Sequence, residues 1–189
     1  MKKSLLDRIL RIYLPITVFV VLASFTITYF ATRPADYGVG YSPKQPINFS
    51  HKLHAGLMKI DCQYCHTGVE KSRQAMVPAV STCMNCHTIA RKNNPEIKKL
   101  RKYFLTGKAL YWKRVHRLPD FVYFNHSVHV NKGIKCESCH GDVAQMTRLT
   151  QMNSFTMSAC LSCHRNAKKR LPYLKNITNG PTNCYTCHR

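Results

Sequence analysis

One pentapeptide recurs five times in this chain, and together the copies use every cysteine. Cys62-Gln-Tyr-Cys65-His66, Cys83-Met-Asn-Cys86-His87, Cys136-Glu-Ser-Cys139-His140, Cys160-Leu-Ser-Cys163-His164 and Cys184-Tyr-Thr-Cys187-His188, motifs I to V, hold all ten cysteines of the 189 residues. A two-residue spacer sets the thiols apart on one turn and points the following imidazole to their side. Structural zinc takes Cys-x-x-Cys units two at a time or with distant histidines, and five is an odd number. Ten histidines in 189 residues would follow all five pairs by chance about once in a million. A disulfide framework gives no reason for the adjacent histidine. The pattern is that of covalent haem c attachment, in which two thiols add across the vinyl groups of one porphyrin and the histidine takes one axial position on its iron. Five covalently bound haems c are expected.

His51, His54, His116, His126 and His129 are left over, and five irons need five distal ligands. Four of the five form a repeated arrangement. Phe49-Ser-His51-Lys-Leu-His54 begins its histidines eleven residues before Cys62, and Phe124-Asn-His126-Ser-Val-His129 begins them ten before Cys136. If each runs as a short helix, its imidazoles leave one side with Cβ atoms about 5–6 Å apart. They cannot both cap the single free position on the haem downstream. The expectation is that His51 caps the haem of motif I and His126 that of motif III, while His54 and His129 each reach an iron attached through another motif. His116 stands outside both pairs as the fifth candidate. Met146 or Met157 is the alternative, and a Met ligand would raise that haem's potential above its bis-His neighbours.

The Phe-x-His-x-x-His pattern ahead of Cys-x-x-Cys-His resembles the multihaem cytochromes of the c3/c7 type, in which most irons are bis-His. The run from Trp112 through His116 to His126, continuing to Ser154-Phe-Thr-Met157-Ser-Ala-Cys160, is similar to the pentahaem cytochrome subunit of bacterial alternative complex III, over roughly residues 45 to 189. That resemblance implies an electron-transfer subunit, without catalysis of its own, in a complex that oxidises quinol. It further implies polytopic quinol-oxidising membrane subunits, an iron–sulfur or molybdopterin-like subunit, and another cytochrome c or electron acceptor as partners. The competing class is a multihaem reductase with an open iron, or a quinol dehydrogenase subunit feeding a nitrogen- or sulfur-oxyanion reductase. An open-iron enzyme needs a haem without a distal ligand and an acid/base group beside it. Five spare histidines and only eight acidic residues favour electron transfer.

About 155 residues outside the membrane leave roughly 30 per haem, too few for much ordinary core. The expected fold is mostly α and irregular, with short helices and loops around stacked haems plus one amino-terminal transmembrane helix. Residues 12–31, Ile12 to Ala31, carry no charge and are long enough to span a bilayer core; a cleaved signal peptide would usually have a shorter apolar region. Lys2, Lys3, Arg8 and Arg11 lie in residues 1–11, against only Arg33 and Lys44 in the fifteen or so residues after the span. The positive-inside rule places the amino terminus in the cytoplasm and the haem domain on the periplasmic side of the bacterial inner membrane. Residues 32–44 read as a Pro/Gly tether, 45–88 as a two-haem module and 121–189 as a three-haem module.

Residues 89–120 between the modules are basic. Asn94-Pro95 reads as a cap and first turn, Ile97, Leu100 and Phe104 share one face, and Gly107 is a stop, so a bridging helix is expected. A formal charge of +21 first suggests nucleic acid, but no nucleic-acid motif accompanies it. Ten haem propionates, partly offset by iron, would leave a surplus of roughly +11 to +16, suited to anionic lipid or an acidic partner.

Overall fold

The computed structural model describes residues 5–32 and 38–188, and the chain divides into two units, Met1–Tyr37 and Gly38–Arg189. The first unit is one helix, α1 (Leu5–Thr32), whose 28 residues span about 42 Å and exceed a hydrocarbon core of about 30 Å. It contains the uncharged stretch 12–31 and starts about two turns earlier. Ile9–Tyr13 are wound as a π-helix, in which the Leu14 N–H donates to the Ile9 carbonyl. Pro15 lacks an N–H and its ring crowds the carbonyl four residues back, so a widened turn just before it relieves the clash. No residue of the Leu14–Thr32 stretch is buried by protein. Thr17, Ser24, Thr26 and Thr32 each turn their hydroxyl back onto the carbonyl four residues earlier, at 2.7–2.8 Å. A helix that crosses lipid would need such internal satisfaction of polar groups. Lys2, Lys3 and Arg33, which enter the charge asymmetry, lie outside the described residues.

In the second unit the helices are short: α2 (Lys52–Leu57, π-type), α3 (Cys62–Cys65), α4 (Val80–His87), α5 (Pro95–Thr106), α6 (His126–Val130), α7 (Glu137–His140), α8 (Met157–Arg165), α9 (Ala167–Arg170) and α10 (Cys184–Cys187), with a 3-10 turn at Val143–Gln145. There is no strand among the described residues. Side-chain caps fix where several of these begin. Asp61 accepts from the Gln63 N–H, Asn125 from Ser127, Thr156 from Ala159 and Asn183 from Thr186. Each cap stands immediately before motif I, before His126, shortly before motif IV or before motif V. The preceding loop is thereby stopped at a defined residue, for about 1 kcal/mol per cap.

The longest helix of this unit, α5, starts at Asn94, whose side chain accepts from the Glu96 N–H, and ends at Gly107 with φ 64°. Its buried residue Leu100 joins Ile47 and Met84, and Ile97, Val80, Cys83, Leu110 and Trp112 pack around them. The Glu96 carboxylate accepts from the Asn48 N–H at 2.8 Å. This helix, expected to bridge the two clusters or meet a partner, thus lays its apolar face on the first cluster. Buried apolar residues are few elsewhere, namely Val115, Ala167 and Leu171. Such a small core fits a fold whose apolar interior is completed by cofactor.

The clusters are joined largely by backbone. Lys52 N–H donates to the Met146 carbonyl at 2.9 Å, His126 N–H to Arg73 at 3.2 Å and Ser127 N–H to Ser72 at 3.2 Å. Gly56 lets α2 approach the 3-10 turn, since a Cβ there would strike the Ala144 carbonyl oxygen. The tether is docked at its far end: Gly40 N–H donates to Gln151 and Gln151 N–H to Tyr41, at 2.8 and 3.0 Å. Residues 33–37 of the tether lie outside the described residues.

Candidate haem-binding site

Seven imidazoles are held in the same way. Nδ1 of His54, His66, His87, His126, His129, His164 and His188 lies 2.6–3.0 Å from a backbone carbonyl, of Ser50, Met76, Ala90, Arg73, Asn125, Pro181 and Phe121 respectively. A carbonyl only accepts, so Nδ1 carries the proton and the Nε2 lone pair is left for a metal. Met76 and Phe121 present their carbonyls from left-handed backbone, φ 64° and 66°. Non-glycine residues there cost roughly 1 kcal/mol or more, and the pinned histidines His66 and His188 give the strain a purpose.

Burial favours the neutral form, the one that ligates, at His129 and at three histidines outside this set. It lowers His51 to about 4, with His66, His54 and His116 adding repulsion. It likewise lowers His140 to about 4, with His116, His126 and His66 contributing. Burial also lowers His116, and His129 despite its Asn125 hydrogen bond.

Three pairs of rings stand opposed across similar gaps. Centroids are 6.2 Å apart for His54 and His87, 6.4 Å for His126 and His140, and 6.1 Å for His129 and His164. Two imidazoles on one metal, each with a bond of about 2.0 Å and about 1.1 Å more from nitrogen to ring centre, would place centroids about 6.2 Å apart. The residues therefore fit an iron between the members of each pair. Among the described residues no group of three or more His, Cys, Asp or Glu is placed to hold a metal ion.

The two Phe-x-His-x-x-His segments have nearly the same local geometry. Phe49 stacks on His54 at 4.4 Å and 23°, and Phe124 on His129 at 4.6 Å and 28°. Each Phe meets the first histidine edge-on, at 4.9 Å in both segments. The phenyl ring thus sits between two imidazoles and turns them apart.

His51 and His116 differ from the other rings. The Nδ1 of His51 and the Nε2 of His116 are buried without a protein partner. His116 lies edge-on to His140 at 4.4 Å and to Phe155 at 5.8 Å. A gap of 4.4 Å is too short for an iron between them, and His126 already faces the His140 ring. Met146 is half-buried with its methyl beside Gly141, whereas Met157 is 66% exposed at the start of α8.

The thiols place the motifs beside one another. Burial and the neighbouring Cys62 push Cys136 up to about 11. Burial raises Cys83 with help from Cys65, Cys139 with help from Cys163 and Cys160, and Cys160 with help from Cys187. Hydrogen bonds follow the same neighbours. Asn85 Nδ2 of motif II donates to the Tyr64 hydroxyl of motif I at 3.0 Å, and Asn153 Nδ2 to the Cys139 carbonyl at 2.9 Å. Gly180 N–H donates to His164 at 2.9 Å, and a Cβ on Gly180 would lie 2.7 Å from the His164 ring. That glycine and the anchoring carbonyls escaped sequence reasoning, because a backbone acceptor leaves no side-chain signature.

Paired thiols and opposed neutral imidazoles, repeated along short helices and loops, are the fittings of a multihaem cytochrome c. Residues 28–111 match the class III cytochrome C family, and residues 122–189 match cytochrome c7 and related cytochrome c. The chain is also 30% identical over 171 residues, 79% of each chain, to the menaquinone reductase multihaem cytochrome c subunit of Nitratidesulfovibrio vulgaris (strain Hildenborough). It belongs to this family of multihaem cytochromes c, binds haem c covalently and serves electron transfer.

Proposed function

We propose that this chain is a membrane-anchored pentahaem electron-transfer subunit of a quinone-linked oxidoreductase complex. Motifs I to V would each hold one haem, and each haem supplies a one-electron iron couple when bound. His54 with His87, His126 with His140 and His129 with His164 would hold irons between them, and His51 with His66 would hold a fourth. His188 would hold the iron at motif V. The partnerless Nε2 of His116 would serve an iron other than one held by His126 and His140, and half-buried Met146 would be a better thioether alternative than exposed Met157. The carrying observation is the set of three imidazole pairs at 6.1–6.4 Å.

Thiol neighbours and the hydrogen bonds beside them support a spatial series II–I–III–IV–V, which makes II and V its ends. Helix α1 anchors the subunit in the cytoplasmic membrane with its amino terminus inside and the haem unit on the periplasmic side. Partner subunits, polytopic ones beside α1 and an iron–sulfur or cytochrome subunit beside the haem unit, carry out the quinone chemistry.

Haem quantitation on purified protein should give five per chain, and electron paramagnetic resonance should show at least four irons low-spin. Fewer than five haems, or two or more high-spin irons, would overturn the reading. Two directions are open to the complex. Resemblance to alternative complex III supports quinol oxidation, and the relative's name supports menaquinone reduction. Stopped-flow mixing of the intact complex separates them: menaquinol reduces oxidised haems rapidly in the first case, and menaquinone rapidly oxidises reduced haems in the second.

A further inference from the structure

We infer that the exposed face of α5 is a docking surface for an acidic protein that exchanges single electrons at the motif II end of the series. The inference rests on the electron-transfer reading above. Between Arg91 and Lys108 the chain carries seven bases, Arg91, Lys92, Lys98, Lys99, Arg101, Lys102 and Lys108, against the single acid Glu96. Glu96 is turned away, onto Asn48. Lys92, Lys98 and Lys102, with Arg101, Leu105 and Thr106, line a shallow groove of about 320 Å³. Exposed apolar side chains stand in this basic field: Leu105 and Phe104 on the helix and Ile89 just before it. Apolar anchors within a charged rim are the anatomy of a protein-binding face, and a field of one sign selects a partner of the other.

The surface is also tied to a ligating segment. Arg101 Nη1 donates to the carbonyls of Thr88 at 2.9 Å and His87 at 3.4 Å, at the carboxyl end of α4. A partner seated on α5 is therefore one side-chain layer from motif II. A lipid surface fits the face less well. An interfacial helix binds by sinking its apolar stripe, and here Leu100 and Ile97 are already packed on Met84 and Ile47.

The test uses the full-length, haem-loaded protein in detergent, with an acidic plant-type ferredoxin as probe. Electron balance is simple: one reduced ferredoxin cluster loses one electron and one ferric haem iron gains it. Lys92→Glu/Lys98→Glu/Lys102→Glu should weaken binding of oxidised ferredoxin and slow haem reduction by reduced ferredoxin about ten- to a hundred-fold at low salt. The rates should converge with wild type at high salt, and Lys→Gln at the same positions should give a smaller loss. Reduction by a small neutral flavin radical should be unchanged; failure of that reaction in wild type sinks the electron-transfer reading, while ferredoxin affinity still reads the docking face. The control Lys168→Glu/Lys169→Glu/Lys175→Glu changes net charge equally on exposed residues of the second cluster. Equal losses in control and α5 variants would overturn the inference, as would an unchanged α5 variant. So would an α5 variant that releases anionic phosphatidylglycerol vesicles yet keeps ferredoxin affinity.

Discussion

His129→Ala separates the proposed ligand pairing from simple proximity. His126 and His129 are three residues apart on α6, so a change at one would ordinarily be expected to disturb the haem served by the other. The two rings are anchored separately, however. His126 Nδ1 is held by the Arg73 carbonyl from the first cluster at 2.8 Å, and His129 Nδ1 by Asn125 within its own turn at 2.8 Å. The substitution removes that bond, about 1 kcal/mol, and the 4.6 Å stack on Phe124, about 1 kcal/mol more. A protein-side loss of about 2 kcal/mol should leave the fold and the proposed haem attachments at all five motifs in place. The spectroscopic effect should be larger. If the pairing holds, the iron held by His129 and His164 would lose its distal ligand, and about one fifth of total haem should become high-spin, one motif in five. Electron paramagnetic resonance with haem quantitation gives that fraction. Repeating the substitution with Cys160→Ser/Cys163→Ser names the iron, since the extra high-spin signal should vanish with motif IV absent. A signal that persists in that background, or none in the single variant, refutes the pairing.

Gly56→Ala forces a methyl against the Ala144 carbonyl and should cost about 1–3 kcal/mol by pushing α2 off the 3-10 turn, read as a lower midpoint in thermal or denaturant unfolding. Gly180→Ala places a Cβ 2.7 Å from the His164 ring, so the low-spin signal of a single haem should shift while haem content stays constant.

Much of the site could be read from sequence because its chemistry sits in side chains at fixed short spacings. The Cys-x-x-Cys-His units and the two Phe-x-His-x-x-His segments are local, and so are the Asn94, Pro95 and Gly107 signals that bound α5. Which iron each second histidine faces is another matter. His54 and His87 meet across 33 residues of loop and helix, and His129 and His164 across 35, paths set by backbone hydrogen bonds and left-handed residues such as Met76. Spacing alone required only that His54 and His129 avoid the haem just downstream. His116 shows the limit of counting: its number completes a set of five distal ligands, yet its ring lies beside His140.

The repeated segments suggest a building unit that the motif count alone obscures. In each cluster the second histidine passes over the motif just downstream and faces the one after it, His54 towards motif II and His129 towards motif IV. The unit is therefore a pair of motifs with one Phe-x-His-x-x-His segment, present twice, and motif V is an addition to the second copy. In the proposed pairing, one short helix would supply imidazoles towards two proximal rings, so neither site could shift without straining the other. Motif V has no such segment of its own. Its His188 Nδ1 bonds the Phe121 carbonyl at 3.0 Å, and the Cys187 carbonyl accepts from Tyr123 N–H at 2.8 Å, both within the segment that leads into α6. Backbone bonds thus fasten the fifth site without a shared helix, whereas at motifs II and IV such bonds act together with one. A backbone-fastened site can be added to a pair without a new histidine segment, which accounts for five attachment motifs beside only two such segments.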